Sequence, residues 1–160
     1  MEWNETSDLL QLPLNLPVRQ VYIWIVSTDN KYLLVSKDGT KFQQVGGHPE
    51  YKENIYTALQ REVKEESGLE LTLDELKSAK FLGYYYVKNE AEGEFLQLRF
   101  VLNYPKESTA LDLSPMERES EAEADKVTVA KFLSEEDTFR GIKWLKDSAE
   151  YKSLMNLLSK

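Results

Sequence analysis

The chain has 160 residues, 41% of them hydrophobic and 30% charged, with a formal net charge of −8. That is the profile of one globular domain, 1–160, long enough to bury a core. The acidic surplus excludes a surface built to grip nucleic-acid phosphates, and the lack of cysteine excludes disulfides and thiolate chemistry. No apolar run reaches bilayer length, and the opening MEWNETSDLL lacks a basic-then-apolar leader pattern. The expectation is a cytoplasmic protein with neither a membrane nor a nucleic-acid partner.

Residues 1–18 are polar and broken by Pro13 and Pro17, which predicts an irregular N-terminal extension lying over the domain. Val21 to Val26 is a β-rich apolar run, and Thr28-Asp29-Asn30 turns it into Lys31 to Val35, which predicts a hairpin. Asp38-Gly39 marks the next turn, before a short strand from Lys41 to Val45 that ends at two glycines. Glycine there permits positive φ and lets backbone approach a bound ion or phosphate.

The next stretch, GGHPEYKENIYTALQREVKEESGL, carries the chemistry. Ile55, Leu59 and Val63 form a helical stripe with Ala58 beside it, while Thr57, Gln60 and Lys64 take the watery side. The same rotation brings Glu62 and Glu66 into the apolar sector and Glu65 onto its flank. Clustered, partly buried carboxylates are costly without a partner, and a hard cation such as Mg²⁺, which favours oxygen ligands, removes the conflict. Gly68 reads as the C-cap, with Leu69 as the hydrophobic contact that follows.

From Gly47 the spacing runs through Glu53, Arg61-Glu62-Val63, Glu65-Glu66 and Gly68-Leu69. It resembles the signature G-x5-E-x7-R-E-U-x-E-E-x-G-U of the Nudix hydrolase superfamily at every specified position. The resemblance implies an α/β (α+β) fold, an α/β/α sandwich in which a mixed sheet is flanked by the motif helix and a C-terminal helix. It implies a pyrophosphohydrolase that uses Mg²⁺, with Mn²⁺ as a substitute, to cleave a diphosphate linkage in a nucleoside diphosphate joined to another moiety. Glu62, Glu65, Glu66 and the Gly46 carbonyl are the implied metal ligands. Glu62 or Glu65 orients or deprotonates the attacking water, Arg61 holds the carboxylates by forked hydrogen bonds, and Glu53 joins at the helix start. A homodimer is the assembly the resemblance allows.

Beyond the motif, Phe81 to Lys88 and Glu94 to Tyr104 read as a hairpin around Asn89 to Gly93. Met116 to Asp125 reads as a mobile acidic loop, in which Glu119, Glu121 and Glu123, together with Glu94, are candidates for a general base outside the motif. Lys126 to Ala130 reads as one more strand. Ser134 opens a capping start, and Tyr151, Leu154, Met155 and Leu158 follow a helical stripe.

Trp24, Phe42, His48 and Tyr85 are the candidate substrate contacts, the aromatics either stacking on a base or serving as core and cross-strand packing, and His48 either a contact or only a loop residue; Tyr84 and Tyr86 share the aromatic chemistry. The single histidine cannot build a zinc site alone. Where the family's ADP-ribose hydrolases carry a proline, this chain has Tyr85 and Tyr86, which tilts the reading away from ADP-ribose. Two alternatives compete with hydrolysis. A non-catalytic nucleotide sensor on the same fold would have an eroded motif, and an isopentenyl-diphosphate isomerase would need a catalytic cysteine.

Overall fold

The computed structural model describes residues 1–116 and 125–160. Its centre is β2 (Val18–Val26), whose side chains alternate between two cores as a twofold pleat requires. Val21, Ile23 and Ile25 enter one cluster, while Trp24 and Val26 enter the other. Helices α1 (Ile55–Ser67) and α2 (Leu73–Lys77) cover the first cluster with Ala58, Leu59, Val63 and Leu76. On the opposite face lie Ile142, at the end of α3 (Glu135–Gly141), and Tyr151 and Leu154 of α4 (Ala149–Leu158). The result is the expected mixed sheet between helical layers.

Among the described residues the sheet has seven strands in the order β1-β5-β6-β2-β4-β3-β7. The pair β2–β6 (Gly93–Asn103) is parallel, and the other ladders are antiparallel. The hairpin of β5 (Lys80–Asn89) with β6 is as read from the sequence. The β2–β3 hairpin is not: β3 (Tyr32–Ser36) meets β2 only at Val26↔Tyr32, because β4 (Phe42–Gly47) inserts between them. Glycines 46 and 47 therefore sit inside the end of a strand rather than beyond it.

Three more elements differ from the sequence reading. Within the extension, β1 (Glu2–Glu5) is an edge strand on β5, with Trp3 opposite Tyr85. Helix α2 was not anticipated, although Thr72 and Glu75 close a reciprocal capping box around its first turn. Strand β7 spans Val129–Leu133, three residues later than the run read from composition. The Ser134 cap and the C-terminal helix are as expected. Among the described residues, no helix is long and apolar enough to cross a membrane.

Candidate functional site

Helix α1 is fixed at both ends by its own sequence. Asn54 caps the start by accepting the Thr57 N–H at 2.9 Å. Gly68 closes the end in the left-handed region, at φ 76°, with its N–H on the Lys64 carbonyl. With the apolar stripe seated on the sheet, Glu62 and Glu66 are buried and Glu65 is half-buried, as the helical rotation demands. The chain beyond the acidic helix returns to it: Ser114 N–H donates to the Ser67 carbonyl and Met116 N–H to that of Glu65.

Three carboxylates accept hydrogen bonds from one guanidinium. Arg61 donates from Nε and Nη2 to the two oxygens of Glu53, at 2.9 and 2.8 Å, a forked pair. Its Nη1 donates to Glu62 Oε1 at 2.9 Å and to Glu65 Oε2 at 3.2 Å, and Nη2 also reaches the His48 carbonyl. These contacts, the Glu53 bonds first, raise the guanidinium pKa above its already high value. In return Arg61 holds the Glu53 carboxyl below the usual range.

The fourth carboxylate turns the other way. Glu66 Oε1 accepts the backbone N–H of Gly46 at 2.8 Å, which ties the helix to the end of β4. A Cβ placed on Gly47 would lie 2.7 Å from Glu62 Oε1, so glycine is what lets the strand pass this close to the carboxylate. Between helix and strand lies a cleft of about 510 Å³, walled by Gly46, Gly47, Glu62, Glu65 and Glu66, with His48, Glu50 and Arg61 beside them. Tyr22, Lys37, Gln43 and Lys126 also line it.

Among the described residues, no three carboxylates or imidazoles converge as a finished ligand set. Glu62 and Glu65 each give one oxygen to Arg61, and Glu66 gives one to Gly46. The donor types nevertheless fit a hard divalent cation. Glu62, Glu65, Glu66 and Gly46 border one cleft, and Glu62 and Glu66 are buried carboxylates whose negative charge a cation would offset.

His48 lines the cleft and bonds the Gln20 side chain at 3.2 Å. Trp24 does not line it: the ring is fully buried, and its Nε1 donates to Glu150 at 2.9 Å. Tyr85 is buried against Trp3, with ring centroids 4.9 Å apart. Phe42 packs on the core that holds Trp24, against Gly141 and Lys131. None of these three aromatics lines the cleft: Trp24 and Phe42 pack in the core with Ile142, Tyr151 and Leu154, and Tyr85 in a separate cluster with Val87 and Phe95. Tyr84 packs on the first core, while Tyr86 gives its hydroxyl to Glu94 on an exposed surface that is not part of the cleft wall. Glu119, Glu121 and Glu123 lie outside the described residues.

Tyr22, Lys37, Gln43 and Glu50 border the cleft without having been singled out in the sequence. Tyr22 faces Gly46 across the β2–β4 ladder, and that register is not legible from one sequence. Burial raises its phenol pKa, Arg99 draws it back, and Glu66 and Glu62 raise it further.

A family model described as the NUDIX domain matches residues 16–148. A search of curated proteins returned no match. Among solved structures, the chain is similar to a Bacillus subtilis pyrophosphohydrolase at 21% identity and TM-score 0.63, covering 98% of this chain and 90% of that one. It is similar to a C. elegans Ap4A hydrolase at 16% identity and TM-score 0.57, covering 88% and 98%. The NUDIX domain of Shewanella oneidensis NrtR, complexed with ADP ribose, aligns at 12% identity and TM-score 0.62, covering 94% and 96%.

Proposed function

The chain belongs to the NUDIX domain family, and on that premise we propose that it is a pyrophosphohydrolase whose substrate is a nucleoside diphosphate joined to a further moiety, cleaved with Mg²⁺. The observation that carries this reading is the single cleft in which Glu62, Glu65 and Glu66 meet the glycine bend of β4 with Arg61 behind them.

Glu62, Glu65, Glu66 and the Gly46 carbonyl would hold the metal. When bound, Mg²⁺ neutralises phosphate oxygens and acidifies a water for attack on phosphorus. The chain's own residues divide the rest of the work. The Glu65 side chain is 23% exposed against 5% for Glu62. Glu65 is therefore the carboxylate with access to water in the cleft, and it orients the nucleophile and accepts its proton. The new P–O bond forms from that water as the anhydride P–O bond breaks in line, and the leaving phosphate departs as the anion. Arg61 positions Glu62 and Glu65 together, since one nitrogen serves both. Glu53 holds the far side of the guanidinium, outside the cleft wall.

The Ap4A and ADP-ribose names of the structural neighbours support a nucleotide in the substrate. A panel of nucleotide sugars, dinucleoside polyphosphates, oxidised nucleoside triphosphates and ADP-ribose, assayed with and without Mg²⁺, tests the proposal. The expected result is Mg²⁺-dependent release of a nucleotide product from at least one compound, with turnover falling about a hundredfold or more in Glu65→Gln. Unchanged turnover in Glu65→Gln would remove the proposal's basis.

A further inference from the structure

Behind the inner wall of the cleft runs a buried polar column that the hydrolytic reading does not use. Tyr22 is the part-exposed residue in an otherwise buried run from Val21 to Ser27, and its exposed side borders the cleft. The ring lies against the bend, since a Cβ on Gly46 would come within 2.7 Å of Tyr22 Cδ1. Across the parallel ladder, Tyr22 pairs with Arg99 of β6.

Arg99 is 5% exposed, and its guanidinium carbon sits 4.6 Å from the centre of the Tyr22 ring and 5.0 Å from that of Tyr85. Its Nη1 and Nη2 donate to the Leu98 carbonyl and the Gln97 side chain. Its Nε faces Glu150 Oε2 at 3.4 Å without forming a hydrogen bond. Glu150 is fully buried in the first turn of α4, where the helix dipole favours an anion. The same Oε2 accepts Trp24 Nε1 at 2.9 Å and Gln44 Nε2 at 2.7 Å.

Stability alone is a poor reason for such a pair. A buried ion pair commonly does no better than apolar residues of similar volume, and this one leaves Arg99 Nε and Glu150 Oε1 without hydrogen bonds. What it does supply is position. A cation packed on an aromatic face and anchored from behind fixes the plane of that ring.

We propose that Arg99, anchored by Glu150, is a positioning residue for the cleft: it holds the Tyr22 ring beneath the Gly46 bend and so sets where the Gly46 carbonyl and the Glu66 carboxylate stand. The proposal rests on the cleft being the diphosphate site.

Two measurements test it. In ¹⁵N-labelled protein, adding methylenediphosphonate with Mg²⁺ should shift the indole N–H signal of Trp24, a buried side chain outside the cleft wall, by way of Tyr22, Arg99 and Glu150. The shift should vanish in Arg99→Met and return in part in Arg99→Lys, which keeps a cation on the ring. On whichever substrate the wild type accepts, Arg99→Met should lower kcat by between about tenfold and a hundredfold with a smaller change in KM. Arg99→Lys should recover part of the loss. Glu150→Gln, which keeps the side-chain volume, should show the same kcat loss if Arg99→Met does not fold. A purely structural pair would lower Tm and leave kcat per folded molecule, and the Trp24 response, as in the wild type; that result overturns the proposal alone. A wild type that neither binds the diphosphonate nor turns over any substrate overturns the reading of the cleft and this proposal with it.

Discussion

Glu66 Oε1 accepts the backbone N–H of Gly46 at 2.8 Å, across twenty positions of sequence. One bond thus joins the last turns of α1 to the end of β4, and the space between them is the cleft. The contact requires a strand backbone free to bend, and that requirement separates the two glycines experimentally.

Gly46 has φ 152°, and a Cβ there would lie 2.1 Å from the Val21 carbonyl oxygen, a backbone atom with nowhere to go. Gly46→Ala should therefore destabilise the fold by at least about 2 kcal/mol, seen as a lower Tm in thermal melts. At Gly47 the nearest atoms belong to the far end of the Glu62 side chain, at 2.7 Å, which can swing away. Gly47→Ala should melt within about 4 °C of the wild type, a change near 1 kcal/mol, yet lose most of its turnover because Glu62 is displaced. Equal melting of the two variants would contradict the described bend.

The Glu53–Arg61 pair gives a pH-dependent signature. Arg61 hydrogen bonds hold the Glu53 carboxyl below its ordinary value of 4.5. Its contribution to stability is therefore complete above that ordinary value and is lost as pH falls through the lower folded value. Discounted for solvent screening, the pair is worth up to about 1 kcal/mol, so Glu53→Gln should melt about 2–4 °C lower at pH 7. The gap should narrow as the melts are taken to increasingly acid pH below 4.5. A gap that grows as the melts become more acid, or that is missing at pH 7, would contradict the pairing.

These contacts show which features one sequence could carry. The helix over 55–67, its cap at Gly68 and the inward turn of Glu62 and Glu66 were legible because they follow from spacing within a single element. Tyr22 and the Trp24–Glu150 bond were not, because they depend on which strands lie side by side. The insertion of β4 between β2 and β3 is a long-range pairing that hairpin spacing cannot report. Trp24 could be read as a stacking surface or as core, because a tryptophan on a strand reads alike on either face. Edge strand β1 escaped notice because Glu2 to Glu5 pairs with β5 on only four residues and carries just one large apolar side chain, Trp3.

The buried Arg99–Glu150 pair separates stability from position. Glu150→Ala leaves a buried cation facing a cavity and should destabilise the protein by about 3–5 kcal/mol. The double variant Arg99→Met/Glu150→Leu replaces both charges with hydrocarbon and should regain most of that loss. Denaturant melts of the set measure the difference. If Arg99 matters only for stability, the double variant should also regain turnover; if it positions Tyr22, the regained stability should come without the regained rate.

Arg61 supplies the sharpest contrast between charge and geometry. Its three nitrogens make separate contacts: Nε and Nη2 on Glu53, and Nη1 on Glu62 and Glu65. An ammonium has the same charge but no planar fork, so it cannot hold Glu53 bidentately while also bridging two further carboxylates. Arg61→Lys should therefore behave almost as badly as Arg61→Gln, with kcat down by at least about tenfold in both. Simple neutralisation of the acidic cluster would instead let Lys rescue most of the rate and Gln none. Steady-state kinetics of the two variants at one fixed Mg²⁺ concentration decide between these outcomes, because they separate loss of the charge from loss of the planar fork.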